Sequence, residues 1–212
     1  DVDVDGDKTT LLQSSEVGVL DWQHLQVESG KTLEIKRDET VESELNSKQW
    51  VSVHRGNIDE VSNIDGQVQS DGHVYLVGPG GLSVDGSVEA QQVVLSSLYI
   101  RDEQLTGPQA GLESGDEPTF SNTYDYSFGS KPPLAQDEIE RSDDYLRLGV
   151  DEPDIVDEND VERFNVTIGK SGSVSSGNLG KIMIFGPNVT NYGTVNVQDE
   201  GQLLMTAGEN IY

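Results

Sequence analysis

Short alternating segments dominate the pattern of hydrophobic and polar positions along the chain. They are KTLEI (31–35), QWVSV (49–53), HVYLV (73–77), QQVVLSSLYI (91–100), RFNVTI (163–168), KIMIF (181–185), TVNV (194–197) and QLLM (202–205). In these segments Val, Ile, Leu or Tyr recurs at period two, and Gly, Asn, Asp or Pro bounds them, as is typical of β-strands. Helical periodicity is almost absent, so we expect an all-β fold.

Dense turn signals separate these segments. They are Asp65-Gly66, Asp71-Gly72, Pro79-Gly80, Asp85-Gly86, Tyr192-Gly193 and Glu200-Gly201. The glycines at 66, 72, 80 and 86 leave arms of only five to seven residues between them. Segments this short match the strands of a β-solenoid, in which the chain turns after every few residues. The strands of a β-sandwich are longer.

An internal repeat supports a coil. GHVYLVGP (72–79) and GKIMIFGP (180–187) align without a gap, and a second Gly followed by Ser or Thr and then Val comes after each, at 86–88 and 193–195. The alternation predicts that Val74, Leu76, Ile182 and Ile184 point inward, while Tyr75 and Met183 face the other way. Repeated turn-strand units that bury one another's inner faces are the principle of a β-solenoid.

The segment 101–162 differs from both ends of the chain. It holds 18 acidic against four basic residues and five of the seven prolines. Because Pro removes a ladder donor, we interpret this segment as an acidic insertion of loops outside the solenoid core, with one short helix predicted at 134–148. With this insertion, residues 1–212 are expected to form one domain.

The charge excludes several classes of partner. The net charge of −26 argues against nucleic-acid binding, which needs Lys and Arg to displace counterions, and against docking on an anionic membrane. Without cysteine, disulfides and thiol chemistry are not available. No stretch approaches the ~20 apolar residues of a membrane helix, so the chain is not expected to span a membrane.

The glycine-rich stretch GPGGLSVDG (78–86) is not a phosphate cradle. A Walker-type loop needs a Lys and a following helix, whereas here the pattern continues as strand. Backbone angles at a tight corner explain these glycines better. The two NVT segments, 165–167 and 188–190, match the N-glycosylation pattern, but the second is expected to lie in the repeated turn.

No catalytic centre stands out in the sequence. DVDVDGD offers Asp1, Asp3 and Asp5 as calcium ligands, but Leu12 stands where an EF-hand needs Glu, and a strand followed by an Asp-Gly turn explains it equally well. The acids between 151 and 160 are interpreted as a solvated loop. His24, His54 and His73 share no metal-ligand spacing. We therefore expect no cofactor, no metal, no catalytic residues and no enzymatic activity.

Several segments together resemble one family. They are TTLLQSSEVGVLDWQHLQVESGKTLEI (9–35), WVSVHRG (50–56), SNIDGQVQSDGHVYLVGPGGLSVDGSVEAQQVVLSSLYI (62–100) and GKIMIFGPNVTNYGTVNVQDEGQLLMTAGENIY (180–212). In order and spacing they resemble the N-terminal secretion domain of two-partner secretion exoproteins (TpsA), the filamentous haemagglutinin and haemolysin type. The likeness spares 101–162.

The chain departs from the family pattern at two places. Gly78, Pro79, Gly80 and Gly81 stand where the family usually has Asn-Pro-Asn-Gly, and His54-Arg55 stands where it favours Asn-Arg. Glycine can hold the corner angles that Asn side chains stabilise through their own backbone, so the fold is expected to survive. These six residues are the candidates for transporter recognition or for a structural motif.

The resemblance implies a right-handed parallel β-helix with small extra-helical antiparallel sheets. It further implies a secreted, cell-surface monomer that passes through the periplasm and the outer membrane of a Gram-negative bacterium. The partner would be a TpsB-type outer-membrane β-barrel transporter, which recognises the chain through its POTRA domains. The domain would then nucleate folding of an adhesin-like exoprotein, whose downstream part would contact host or neighbouring cells.

Two alternatives remain open at the level of sequence. In the first, the domain is itself an adhesive module for a surface or glycan, with Tyr124, Tyr126 and Phe128 of the insertion stacking on sugars. In the second, it is a β-helix enzyme that degrades acidic polysaccharide, against which the scarcity of Lys and Arg argues.

Overall fold

The computed structural model describes residues 2–38, 50–98 and 164–207, and their strands form three sheets. Sheet A has seven strands: β1 (Val2–Asp5), β2 (Lys8–Gln13), β5 (Thr32–Arg37), β8 (Gln67–Ser70), β11 (Ser87–Ala90), β14 (Ser173–Ser176) and β17 (Thr194–Asn196). Sheet B has six: β3 (Val17–Asp21), β6 (Val51–Arg55), β9 (His73–Val77), β12 (Gln92–Ser96), β15 (Lys181–Gly186) and β18 (Gln202–Ala207). Sheet C has five: β4 (Gln26–Val27), β7 (Ser62–Ile64), β10 (Leu82–Val84), β13 (Asn165–Ile168) and β16 (Asn188–Asn191).

The chain visits sheets A, B and C in turn, so each circuit adds one strand to each sheet. Each strand from β2 to β18 pairs in parallel with the strand one coil earlier or later, as in the register Val53↔Tyr75↔Val94 on sheet B. The predicted parallel β-helix is thereby confirmed. The antiparallel pair in the described residues is β1 with β2, at the edge of sheet A. No helix within these ranges is long and apolar enough to cross a bilayer.

The interior of the coil is a continuous column of apolar side chains. The repeat predicted Val74, Leu76, Ile182 and Ile184 to point inward, and all four are fully buried in the central cluster. Burial of each such side chain contributes roughly 1.5–3 kcal/mol. The alternation is confirmed on the opposite face as well.

Sheet B buries its outer face too. Tyr75 and Met183 belong to a second apolar cluster, together with Val53, Val94 and Phe185 on the same face of the sheet. Because both faces of sheet B are shielded from solvent, nearly every residue of β6, β9, β12 and β15 is buried. Sheet B is therefore the most enclosed of the three.

The acidic insertion and the helix predicted at 134–148 lie outside the described residues. The strands that flank the insertion belong to one stack, because β10 pairs directly with β13, β11 with β14 and β12 with β15. The chain between β12 and β13 therefore connects sheet B to sheet C.

One local expectation was wrong. The NVT segment at 188–190 is part of strand β16, not of a turn, and it pairs in register with the NVT segment of β13. Asn165 is opposite Asn188 and Thr167 is opposite Thr190. The two copies recur because they occupy the same place in successive coils of sheet C.

The two ends of the stack differ. In the first coil Leu11 and Val27 keep only 5% and 7% of their surface exposed, and Trp22 packs against the core beside them. In the last coil Leu203 and Met205 stand in the same columns as the inward-facing Ile182 and Ile184, yet they are 49% and 38% exposed. The inner side chains of the described stack are thus covered at its first coil and exposed at its last.

This asymmetry predicts unequal costs for truncating two leucines whose positions belong to the inward-facing columns of sheet B. Leu95→Ala should lower the free energy of unfolding by roughly 2–5 kcal/mol, because Leu95 is fully buried and its loss leaves a cavity. Leu203→Ala should cost about 1 kcal/mol or less, since half of its surface already faces water. Urea unfolding monitored by circular dichroism measures both values. Equal losses would mean that the last coil is covered in solution.

Candidate functional site

The six residues nominated from the sequence meet at one corner of the coil, where sheet B ends and sheet C begins. Arg55 is in register with Val77, so the corners after β6 and β9 lie directly one above the other. Two backbone bonds join successive corners: Gly56 N donates to Val77 O and Gly78 N donates to Ser96 O, both at 2.8 Å. We call residues 21–25, 54–61 and 77–81 of the first three coils the B–C corner.

The turn Gly78-Pro79-Gly80-Gly81 is tight and closely covered. Gly81 N donates to Gly78 O at 2.8 Å, and Gly81 has a φ of 119°, which L side chains rarely adopt. A Cβ on Gly78 would lie 2.4 Å from Gly81 O, and one on Gly80 would lie 2.2 Å from Glu60 O. The expected reason, backbone angle, therefore holds for Gly81. For Gly78 and Gly80 the reason is close approach of neighbouring backbone.

His54 projects into the interior of the coil, where its ring is fully buried. Trp22 Nε1 donates to His54 Nδ1 at 3.1 Å, and His54 Nε2 is 2.9 Å from Ser52 Oγ. Because the indole can only donate, Nδ1 is the acceptor and the neutral ring carries its proton on Nε2. Burial lowers the pKa of His54 to about 4. His54 is thus a neutral hydrogen-bonding core residue.

Arg55 faces the opposite side of β6 and joins the first coil to the second. Its Nε and a terminal nitrogen bind the two carboxylate oxygens of Asp21 at 2.6 and 2.9 Å. The guanidinium side chain is only 6% exposed, whereas the Asp21 side chain is 71% exposed. A fork-to-fork pair of this kind fixes geometry as well as charge. It fastens the corner that follows β3 to the corner that follows β6.

Sequence reasoning missed the partners that hold the corner, Asp21, Trp22 and Ser52. A signal for Asp21 was present, because VGVLDW (17–22) aligns with VSVHRG (51–56) and sets Asp21 opposite Arg55. The pairing of Trp22 with His54 needed the structure, since it crosses from one coil to the next at the point where the strands end. A further contact, between the His24 ring and the Glu60 carboxylate, links the same corners at the surface.

All six nominated residues are buried: His54, Arg55, Gly78, Pro79, Gly80 and Gly81. The folded coil therefore presents none of their side chains to a partner. Within the folded domain the arrangement performs a structural task, which is to hold three successive corners in register.

The remaining candidates lie elsewhere. Asp3 and Asp5 are in the exposed strand β1, which is followed by the turn at Gly6, so the strand alternative is the one the structure shows. Asp1, Tyr124, Tyr126 and Phe128 lie outside the described residues. Among the residues that the structure describes, no three His, Asp or Glu side chains are grouped so that they could hold a metal ion.

His73, on sheet B, has its pKa lowered to about 4 by burial and by the charge of Lys181.

Comparison of the chain with models of known protein families finds no match, and comparison with curated proteins finds no relative.

His54 predicts a pH dependence of stability. Its pKa is about 4 in the folded chain against 6.5 as its ordinary value. The unfolded chain therefore takes up a proton in this interval first, so the contribution of His54 is complete above pH ~6.5 and is lost as the pH falls towards 4. Between pH 7 and pH 4 the wild type should lose roughly 3 kcal/mol more than His54→Gln. Urea unfolding at both pH values measures this difference, and identical losses would contradict it.

The Asp21–Arg55 pair predicts a second effect. Asp21→Ala leaves a buried guanidinium without its carboxylate and should cost about 1–2 kcal/mol, less than for a fully enclosed pair because Asp21 still contacts water. Asp7→Ala is the matched control, since it breaks the exposed Lys31–Asp7 pair, and it should leave the unfolding midpoint unchanged. If both variants behave like the wild type, the corner does not depend on Asp21.

Proposed function

We propose that this chain is the secretion and folding-nucleation domain of a large, adhesin-like bacterial exoprotein of the two-partner secretion type. In this proposal the POTRA domains of a TpsB-type outer-membrane transporter recognise the chain in the periplasm. The chain then folds at the cell surface or outside the cell. No catalytic step and no cofactor is assigned to the domain.

The observation that carries the proposal is the difference between the two ends of the β-helix. A coil cannot bury its inner face alone, so a preformed stack favours addition of the next coil. The last coil offers the outer edges of β16, β17 and β18 and the inward-column side chains Leu203 and Met205, both well exposed. Further coils of a longer exoprotein would pair with these edges and cover these side chains. Growth from the last coil is favoured because the inner side chains of the first coil are already covered, and β1 covers the edge of β2.

Burial of the B–C corner supports recognition before folding. His54 and Arg55 cannot be contacted in the folded coil, since Trp22, Ser52 and Asp21 occupy their polar atoms. A transporter that reads these residues must therefore meet the chain while it is unfolded. Folding afterwards would hide the recognised segment and release the partner.

The composition of the chain supports the proposal that it stays unfolded in the periplasm before export. A net charge of −26 repels the chain from itself and opposes collapse. The absence of cysteine prevents premature cross-links in an oxidising compartment.

Export tests the proposal directly. Residues 1–212 would be expressed behind a signal peptide, with and without the transporter encoded beside the gene, and the medium assayed for folded protein. Release that depends on the transporter is the expected result. Equal release or equal retention, with the transporter shown to be active on another substrate, would remove the export role.

Matched variants separate recognition from stability. His54→Ala and Arg55→Ala should reduce export to the level seen without the transporter, because the unfolded chain loses the residues that are read. Leu95→Ala destabilises the same fold but lies outside the B–C corner, so it should still cross the membrane. A parallel loss of export in all three variants would show that folding, not recognition, sets the result.

A further inference from the structure

A polar groove crosses sheet A near the corner where sheet C turns into sheet A. It encloses about 340 Å³, and its lining consists of Gly30, Thr32, Asp65, Gly66, Gln67, Gly86, Ser87, Ser171 and Ser173. Every lining side chain is polar, and the remaining lining residues are glycines. The groove lies on a different edge of the coil from the B–C corner.

Stacking of the coils sets four polar side chains in a straight column along this groove. Thr32 is in register with Gln67, Gln67 with Ser87, and Ser87 with Ser173. Adjacent strands are ~4.8 Å apart, so the four positions span about 14 Å along the axis of the coil.

These groups are available to a ligand. Within the described residues, the side chains of Asp65, Ser87 and Ser173 form no hydrogen bond or ion pair with the protein, and Thr32 Oγ1 donates a long hydrogen bond of 3.5 Å to Gln67 Oε1. In the next column on the same face Glu34 is occupied, because it binds Lys8 and Lys36 at 2.9 and 2.8 Å. The groove thus combines a concave surface with unpaired polar side chains.

We propose that this groove binds a neutral, linear oligosaccharide that lies along the axis of the coil, with its hydroxyl groups bonded to Thr32, Asp65, Gln67, Ser87 and Ser173. A row of evenly spaced donors and acceptors matches a polymer that presents hydroxyl groups at regular intervals. The proposal is independent of the export function.

The lining excludes other classes of ligand. An extended peptide would need a free strand edge or an apolar anchor, whereas β5, β8, β11 and β14 are paired on both sides here and the groove contains no apolar side chain. An anionic polymer would meet the Asp65 carboxylate and a chain of net charge −26.

Titration followed by backbone amide NMR tests the proposal. The probes are maltohexaose, cellohexaose and a linear mannohexaose, with an oligogalacturonate of equal length as the anionic comparison. At least one neutral probe should shift the amides of residues 30–32, 65–67, 86–87 and 171–173, and the anionic probe should not. Gln67→Ala should weaken that binding by roughly two- to tenfold, the loss of one neutral hydrogen bond.

The chain supplies a matched control. Gln69 lies two residues further along β8 on the same outer face but outside the groove, so Gln69→Ala should bind like the wild type. Both glutamines contact solvent, so the two variants should share the wild-type unfolding midpoint. Absence of shifts with every neutral probe, shifts confined to another surface, or equal weakening by both substitutions would overturn the proposal.

Discussion

The structure depends on in-register parallel pairing between successive coils. Each coil adds one short strand to each of three sheets, and a strand of two to six residues gains little from its own contacts. Its stability comes from the coil above and the coil below, which complete its hydrogen bonds and cover its inner side chains. A one-residue slip would turn the inner side chains outward. Every corner must therefore hold its length, and the buried glycines, the Asp21–Arg55 pair and the Trp22–His54 bond serve this requirement.

This constraint gives His54, Arg55 and the turn Gly78-Pro79-Gly80-Gly81 two roles, one in the folded chain and one in the unfolded chain. In the folded coil they are buried and fix the register of the first three coils. In the unfolded chain the same residues are accessible, and the proposed transporter would meet them only then. One segment can thus mark the chain for export and afterwards start its folding. The last coil has the same relation to any coil that follows it. Its exposed strand edges would serve as a template for the next coil, as the earlier coils served for the last one.

Much of the coil was predictable from the sequence, because period-two patterns and turn residues are local signals. The repeat GHVYLVGP placed Val74 and Leu76 correctly in the interior. In β6 the same rule gives no answer: VSVHR alternates, but both faces of sheet B are buried, and it is Ser52 and His54 that point into the coil while Val53 points outward. Apolar alternation cannot identify the inner face of a sheet that is dry on both sides.

The corner was harder to predict than the strands. The glycines at 78 and 80 were expected to serve a backbone angle, whereas Gly78 makes room for the carbonyl of Gly81 in the same turn and Gly80 for that of Glu60 in the preceding coil. The second contact joins residues about twenty positions apart, and a local motif does not contain it. The polar groove was equally hidden, because Thr32, Gln67, Ser87 and Ser173 form a column only after the coils are stacked.

Amide hydrogen exchange of the chain alone, and of the chain continued by the segment that follows it in its own gene, tests the central claim most directly. If the last coil is an open template, amides of β16, β17 and β18 exchange faster than those of β10 to β15 in the chain alone. They should gain protection when the following segment is present. Equal protection of all six coils in the chain alone, or no gain on extension, would contradict growth of the β-helix from this end.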